Sequence, residues 1–491
     1  MRTAAPLTAL AVLALAACSQ SSTDASPTAS APGASSPPAV DFVAPELSTV
    51  DPTIIAGLDV QVDESLAEGH YTYEAVPVLP NAQDFTAIMR EYIAPRLDRF
   101  REIEQSADGD TRPELTISWD IVAASPQVWG VRLTSAEVGG DAFDGDAETV
   151  WIDVAAREQR WVTDLFEPDA LPELVSRIYD AGVSDPRMDQ QLFNEQMDGE
   201  LEAFDSVAFT TEGQLWVEFD RAQVSTSTTP IGVEVDPDGL LSDFGKLALE
   251  AALSPSDPAV PAIPQPSPSP VESTSAPASE RQTQELEGDT DCGVEKCIAL
   301  TFDDGPVAAT NDLLDVLQDR GVKATFFMVG KNATANPAVV KRIAEDGHAL
   351  GNHTWDHPQL TRLSASEVRK EIERTSDAIE AAAGVRPTLL RPPYGATNGT
   401  VADVAAELGM PQILWDVDPE DWKDKNSDTV RERVLGNAHR NAIVLSHDIH
   451  STTRNAYAAI IDSLISDGYT LVTVPDLLDD LEPGKKYFNG K

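Results

Sequence analysis

Between residues 297 and 474 short apolar runs alternate with helix-patterned segments, and this alternation constrains the fold more than any other feature of the chain. The first run, Ile298-Ala-Leu-Thr-Phe, stops at adjacent carboxylates, Asp303 and Asp304, followed by a Gly305-Pro306 turn. A short apolar run bounded by turn residues is what a strand covered on both faces requires. Further strands are expected at Lys323–Val329, His348–Gly351, Thr388–Leu390, Gln412–Asp416, Ala442–Ser446 and Thr470–Val474. Helical spacing fills the intervals, and Ser364 with Glu367 forms a capping box opening a helix that runs to about Ala383. Repeated βα units imply a parallel sheet with outer helices. About seven strands favour an α/β distorted (β/α) barrel over an open doubly wound sheet. In a barrel, catalytic groups gather at the C-terminal strand ends, where Asp303, Asp304, Arg391, Asp421 and His447 fall.

Two Ser/Pro/Ala-rich stretches divide the chain. They predict a multidomain protein: a signal peptide at 1–17, a disordered tether at 18–45, a folded domain at 46–252, a linker at 253–287 and a second folded domain at 288–491. In the first domain, two-residue alternation marks strands at Tyr71–Val78, Leu115–Val122, Val128–Leu133, Val150–Val154 and Leu215–Phe219. Phe85–Glu104 and Leu171–Ala181 carry helical spacing instead. The expectation is an α+β domain with an antiparallel sheet and no catalytic constellation, its one histidine, His70, lying at the surface.

The apolar stretch from Ala4 to Ala17 is too short to span a hydrocarbon core of about 30 Å, so it reads as a signal sequence. Leu15-Ala16-Ala17-Cys18 resembles the lipobox of bacterial lipoproteins, which implies lipidation of Cys18 and anchoring on the outer face of the cell membrane. Ordinary secretion is the alternative. In an exported protein the remaining cysteines, Cys292 and Cys297, read as a small-loop disulfide; no second pair exists to complete a four-cysteine metal site. The formal charge of −47, from 35 basic and 82 acidic residues, excludes nucleic acid as a partner, which needs a basic footprint.

Six of the seven histidines lie after residue 340, so chemistry concentrates in the C-terminal part. His353 and His357, four apart, can turn both imidazoles to one cation, and an aspartate makes a third ligand while leaving a position open. In Arg391-Pro-Pro-Tyr394 the prolines stiffen the turn that aims the arginine into the strand-end crevice. Asp418-Pro-Glu-Asp421-Trp422 is an acidic loop with a large ring. Leu445-Ser-His447-Asp448 ends another apolar run in a histidine suited to acid or base work.

With Thr301-Phe-Asp-Asp-Gly-Pro306 and His353-Thr-Trp-Asp-His357-Pro358, these segments resemble, in order, the five motifs of the polysaccharide deacetylases, the NodB-homology domain of family 4 carbohydrate esterases. The likeness spans about 296–480. It implies that Asp304, His353 and His357 hold a divalent metal, zinc or alternatively cobalt, manganese or nickel. Asp303 becomes the general base, kept ionised by Arg391. Tyr394 offers its backbone N–H to the oxyanion, His447 is the general acid tuned by Asp421, and Trp422 and Leu445 line the acetyl pocket. The strand order of the first domain, Thr163-Asp-Leu-Phe166 and Phe209-Thr-Thr-Glu-Gly-Gln-Leu-Trp-Val-Glu-Phe219 resemble the RsiV-like domain over most of 50–250, which implies a wall-associated protein or glycan as its ligand. The expected function is removal of N-acetyl groups from a cell-envelope glycan, with peptidoglycan as first choice and chitin-like, xylan or exopolysaccharide substrates as alternatives. A sensor or binding lipoprotein with weak deacetylase activity, and a metal-stabilised structural domain, are the competing readings.

Overall fold

The computed structural model describes residues 45–67, 70–101, 113–138, 144–183, 185, 187–197, 206–219, 224, 231–261, 290–478 and 480–490. The expected signal peptide, Cys18, the tether up to residue 44 and most of the linker lie outside the described residues. Pro45–Lys491 form one compact unit, within which two sheet systems pack against each other.

The first system is a six-stranded sheet in sequential order: β1 (Asp59–Ala67), β2 (His70–Val78), β3 (Glu114–Ala124), β4 (Val128–Val138), β5 (Asp144–Asp153) and β6 (Glu158–Arg160). It is antiparallel except between β2 and β3, which run parallel because the helix Gln83–Arg101 carries the chain back across the sheet. The sheet is antiparallel as expected from the sequence, with the β2–β3 pair as its one parallel pairing among the described residues. The helix buries Phe85, Met89, Ile93 and Phe100 at i, i+4, i+8 and i+15, one face of a 3.6-residue period, against Tyr73, Trp119 and Trp129 of the sheet core. His70 is buried edge-on against Phe100, not at the surface. A three-stranded antiparallel sheet follows, β7 (Ser206–Phe209), β8 (Leu215–Phe219) and β9 (Ile231–Val235), over a second core.

The second system is a parallel sheet of β10 (Cys297–Asp303), β11 (Thr325–Met328), β12 (Ala349–Asn352), β13 (Leu389–Leu390), β14 (Gln412–Ile413), β15 (Ala442–Val444), β16 (Thr470–Val472) and β17 (Lys486–Tyr487). The order is β15-β10-β11-β12-β13-β14-β17, with β16 also paired to β10. An isolated bridge from Val417 to Val444 links the stretch after β14 back to β15, giving a distorted barrel. All seven expected strands form; β17, two residues long, is additional.

β10 is buried along its whole length, and its alternation explains why. Ile298, Leu300 and Phe302 join the core beneath the outer helices, whereas Cys297 and Ala299 face the barrel interior with Phe327, Ile413 and Ile443. Neither face meets water until the run ends at Asp303. Beneath its start, Cys292 and Cys297 are joined by a disulfide with Cα atoms 5.4 Å apart. The Ser364 box is present, with Ser364 and Glu367 capping one another at the head of helix Ala365–Ala383.

Candidate active site

Every candidate side chain of the second system sits just past the C-terminal end of a parallel strand. Asp303 ends β10 and Asp304 follows it; the His353–His357 loop follows β12, Arg391 follows β13, Asp421 lies beyond β14, and Leu445 and His447 follow β15. The turns there are unusual. Asp304, Thr354, His357, Tyr394 and Glu420 all have positive φ, between 50° and 71°, although none is glycine. Backbone conformations that L residues adopt rarely persist only where surrounding structure imposes them, and they cluster at functional sites.

The two neighbouring aspartates have different surroundings. Asp303 Oδ1 accepts from Arg391 Nη1 at 2.7 Å, and both side chains are almost wholly buried. The guanidinium also donates to Thr301 Oγ1 (2.7 Å), Ile413 O (3.0 Å) and Leu414 O (3.3 Å), and lies 4.1 Å from the Phe327 ring centre. Asp304 is equally buried, but neither of its carboxylate oxygens has a hydrogen-bond partner. Burial first, and then the charge of Glu64, push its carboxyl well above the usual range, over the opposing attraction of His447. A buried carboxylate without donors is costly unless a cation balances it.

The two imidazoles complete that picture. His353 Nδ1 lies 2.6 Å from Arg391 O and His357 Nδ1 3.1 Å from Tyr394 Oη, which leaves each Nε2 turned inward, 3.4 Å from Asp304 Oδ1. Around a tetrahedral zinc with ligand bonds of about 2.0–2.1 Å, ligand atoms are spaced by about 3.3 Å. Asp304, His353 and His357 therefore fit a divalent metal, and the outer hydrogen bonds on Nδ1 are the kind that orient such ligands. Burial pulls both histidines toward the neutral form, which ligation needs.

Opposite them, His447 Nδ1 is 2.8 Å from Asp421 Oδ1, while the other Asp421 oxygen accepts from the His447 backbone N–H (2.8 Å) and Thr453 Oγ1 (2.7 Å). Burial opposes the charged imidazole, but Glu64 and Asp421 outweigh it and hold its pKa well above the usual range. A cavity of about 210 Å³ joins these groups and is lined also by Trp415, Trp422 and Leu445. A larger cavity, about 620 Å³, lies away from them between Lys331, Trp355 and Thr49–Thr53. The structure thus brings Asp303, Asp304, His353, His357, Arg391, Tyr394, Asp421, Trp422, Leu445 and His447 together, with Cys292–Cys297 at the far end of β10.

A sequence profile of the polysaccharide deacetylase family matches residues 290–413. The peptidoglycan-N-acetylglucosamine deacetylase of Bacillus cereus is 39% identical over 185 residues, covering 37% of this chain and 67% of that protein. The chain belongs to the polysaccharide deacetylase family. Among its relatives are the peptidoglycan-N-acetylglucosamine deacetylase PgdA of Listeria monocytogenes, 48% identical over 196 residues (40% of this chain, 41% of PgdA), and the peptidoglycan-N-acetylmuramic acid deacetylase PdaC of Bacillus subtilis, 47% identical over 184 residues (37% and 39%). The chain spans about two fifths of the length of those two relatives.

Several residues that shape the site carried no motif in the sequence. Glu371, on the helix Ala365–Ala383, accepts from the backbone N–H groups of Trp355 (2.8 Å) and Asp356 (3.4 Å), pinning the histidine loop. Asn352 holds the loop from the other end, through Thr354 N–H, Ile372 O and Ser376 Oγ. The capping box was the available signal, since it fixes that helix and so the face that meets the loop. Glu64 reaches the site from β1, which no sequence pattern marked as a strand, and Tyr71 and Tyr73 from β2, which the alternation did mark.

Proposed function

We propose that the protein is a metal-dependent deacetylase that hydrolyses N-acetyl groups on a cell-envelope glycan, with peptidoglycan as the substrate. The observation that carries this reading is the division between the two aspartates: one paired with a buried arginine, the other bare of donors and facing two imidazole nitrogens. A metal held by Asp304, His353 and His357 supplies a Lewis acid for the acetyl oxygen and lowers the pKa of the attacking water; zinc suits this donor set.

The chain's own groups do the rest. Asp303, paired with Arg391 at 2.7 Å, accepts the proton of the attacking water. His447, paired with Asp421, donates to the departing amine nitrogen; both groups line the same cavity. The backbone N–H of Tyr394 serves the developing oxyanion. Trp422 and Leu445 give the acetyl methyl an apolar wall.

The names of the relatives support peptidoglycan, and both of its sugars occur among them. The disulfide supports an oxidising, extracytoplasmic setting. No helix among the described residues is long and apolar enough to cross a membrane. Anchoring through lipidated Cys18, with residues 18–45 as tether, places such an enzyme beneath the wall, and the first domain is then available to a wall-associated protein or glycan. The test is acetate release from peptidoglycan and from N-acetylglucosamine oligomers by the zinc-loaded full chain. Release should vanish on chelation and in His447→Ala. No release from any acetylated glycan would overturn the reading.

A further inference from the structure

Glu64 belongs to β1, yet its side chain is 2% exposed and reaches into the catalytic cavity of the other sheet system. One carboxylate oxygen lies 3.0 Å from His450 Nε2, and the other accepts from the Tyr71 hydroxyl. Its ligand atom, one from Asp304 and one from His447 all lie within 4.8 Å of one another. The Asp304–His353–His357 group meets the same limit, so the two triads share the one carboxylate that has no donors. Each Glu64 oxygen keeps a further lone pair after its hydrogen bond. A carboxylate thus stands on the side of Asp304 facing His447. Under the deacetylase reading, on which this inference rests, that is the space between metal and general acid into which a substrate's acyl group must come.

The rest of the hairpin is fitted to the same place. Tyr73, the cross-strand partner of Glu64, stacks on His357 with ring centres 4.4 Å apart and planes 16° from parallel. Tyr71 packs edge-on against Tyr394 and Trp422 at 5.3 and 5.5 Å. Asp63, next to Glu64 but on the other face, pairs with Lys425 beside the acidic loop. β1 and β2 thus line the cavity that a glycan must enter. An isolated buried carboxylate costs free energy that apolar packing would not, and this one is held by His450 and Tyr71 beside His447.

We propose that Glu64 is a supporting carboxylate set against the open face of the metal centre, beyond its ligands, so that the first sheet system closes the site with its own side chain. Glycan entry then requires the β1–β2 hairpin to withdraw, which makes the first domain a gate on the second.

The test uses the full chain. Glu64→Gln preserves shape and removes the charge. Zinc affinity, measured by competition with a chelator, should fall by about tenfold or more, the range for removing a supporting group from a metal site. Acetate release from soluble peptidoglycan fragments should rise by about tenfold if roughly nine molecules in ten are closed. Lys425→Glu sets like charges opposite Asp63 and leaves Glu64 intact; it should raise release in the same direction, and it keeps the test usable if Glu64→Gln does not fold. Unchanged zinc affinity in Glu64→Gln overturns the part of Glu64 at the metal centre. Unchanged or lower release in both variants overturns closure. Asp304→Asn separates these failures from that of the underlying reading: if it too leaves zinc affinity unchanged, the metal site itself is misplaced.

Discussion

Replacing Asp303 with asparagine should abolish turnover while leaving the metal in place, and the structure fixes what else it should do. The carboxylate and Arg391 are 3% and 0% exposed and joined at 2.7 Å. Breaking a buried pair by removing one partner typically costs about 3–5 kcal/mol, because the other charge is left uncompensated. Here the guanidinium retains Thr301 Oγ1, Ile413 O and Leu414 O, and the asparagine oxygen can still accept from it. The loss should therefore fall at about 2–3 kcal/mol, seen as a melting temperature lower by about 5–10 °C. Acetate release should drop by about 10²–10⁴-fold, the contribution of a positioned general base. Asp304→Asn gives the opposite pattern: the variant should lose its zinc to dialysis, because the residue supplies a ligand and has no hydrogen bond to lose. Metal content, melting temperature and acetate release measured on the same samples decide the matter. If Asp303→Asn came out of dialysis without zinc, or kept more than about a tenth of wild-type turnover, the division of labour between the two aspartates would be refuted.

Asp421→Asn should move the alkaline limb of the pH–rate profile to lower pH, because the Asp421 charge is among the forces that keep His447 protonated above its usual range; a limb that stays put removes Asp421 from that role. Glu371 is pushed up to about 8, by burial first and then by the charge of Asp356. Its folded pKa lies above the unfolded one, so its stabilising effect is full below about pH 4.5 and is lost as pH rises through about 8, a change of a few kcal/mol. Glu371→Gln should flatten the melting temperature of the apo protein between pH 5 and 9, and an unaltered slope would assign that dependence elsewhere. Replacing Cys292 and Cys297 together by serine should cost about 2 kcal/mol, as expected for so short a loop, with acetate release unchanged. A fall in activity at equal folded fraction would give the disulfide a part in the chemistry.

The barrel was legible because its signals are redundant. β10 is apolar on both faces, so its run is continuous; the Ser364–Glu367 box announces its own helix; and each site residue stands where an apolar run meets a titratable one. β17 escaped because two residues carry no period, and the β2–β3 pairing because strand direction depends on the crossover helix, not on alternation. Asp-Val-Gln-Val-Asp-Glu-Ser-Leu-Ala, the sequence of β1, was not recognised as a strand at all. Its acids interrupt the apolar alternation, and of the adjacent pair Asp63 and Glu64 only Glu64 is buried.

That last difference lies in what each acid faces. Asp63 and Glu64 are adjacent on one strand and so point to opposite faces. Asp63 finds Lys425 at an exposed rim, where an ion pair contributes about 0–1 kcal/mol and a sequence reader is right to expect little. Glu64 enters a cavity whose histidines outweigh the cost of its burial and hold it well below the usual carboxylate range. Those histidines are His447 and His450, nearly 390 residues away in the chain, so no local pattern could have distinguished the two acids. The attraction that makes Glu64 tolerable in the cavity comes from His447, the proposed general acid, and then from His450. Whatever draws the hairpin away must therefore offset that attraction, and a glycan that used His447 would compete directly with Glu64 for it.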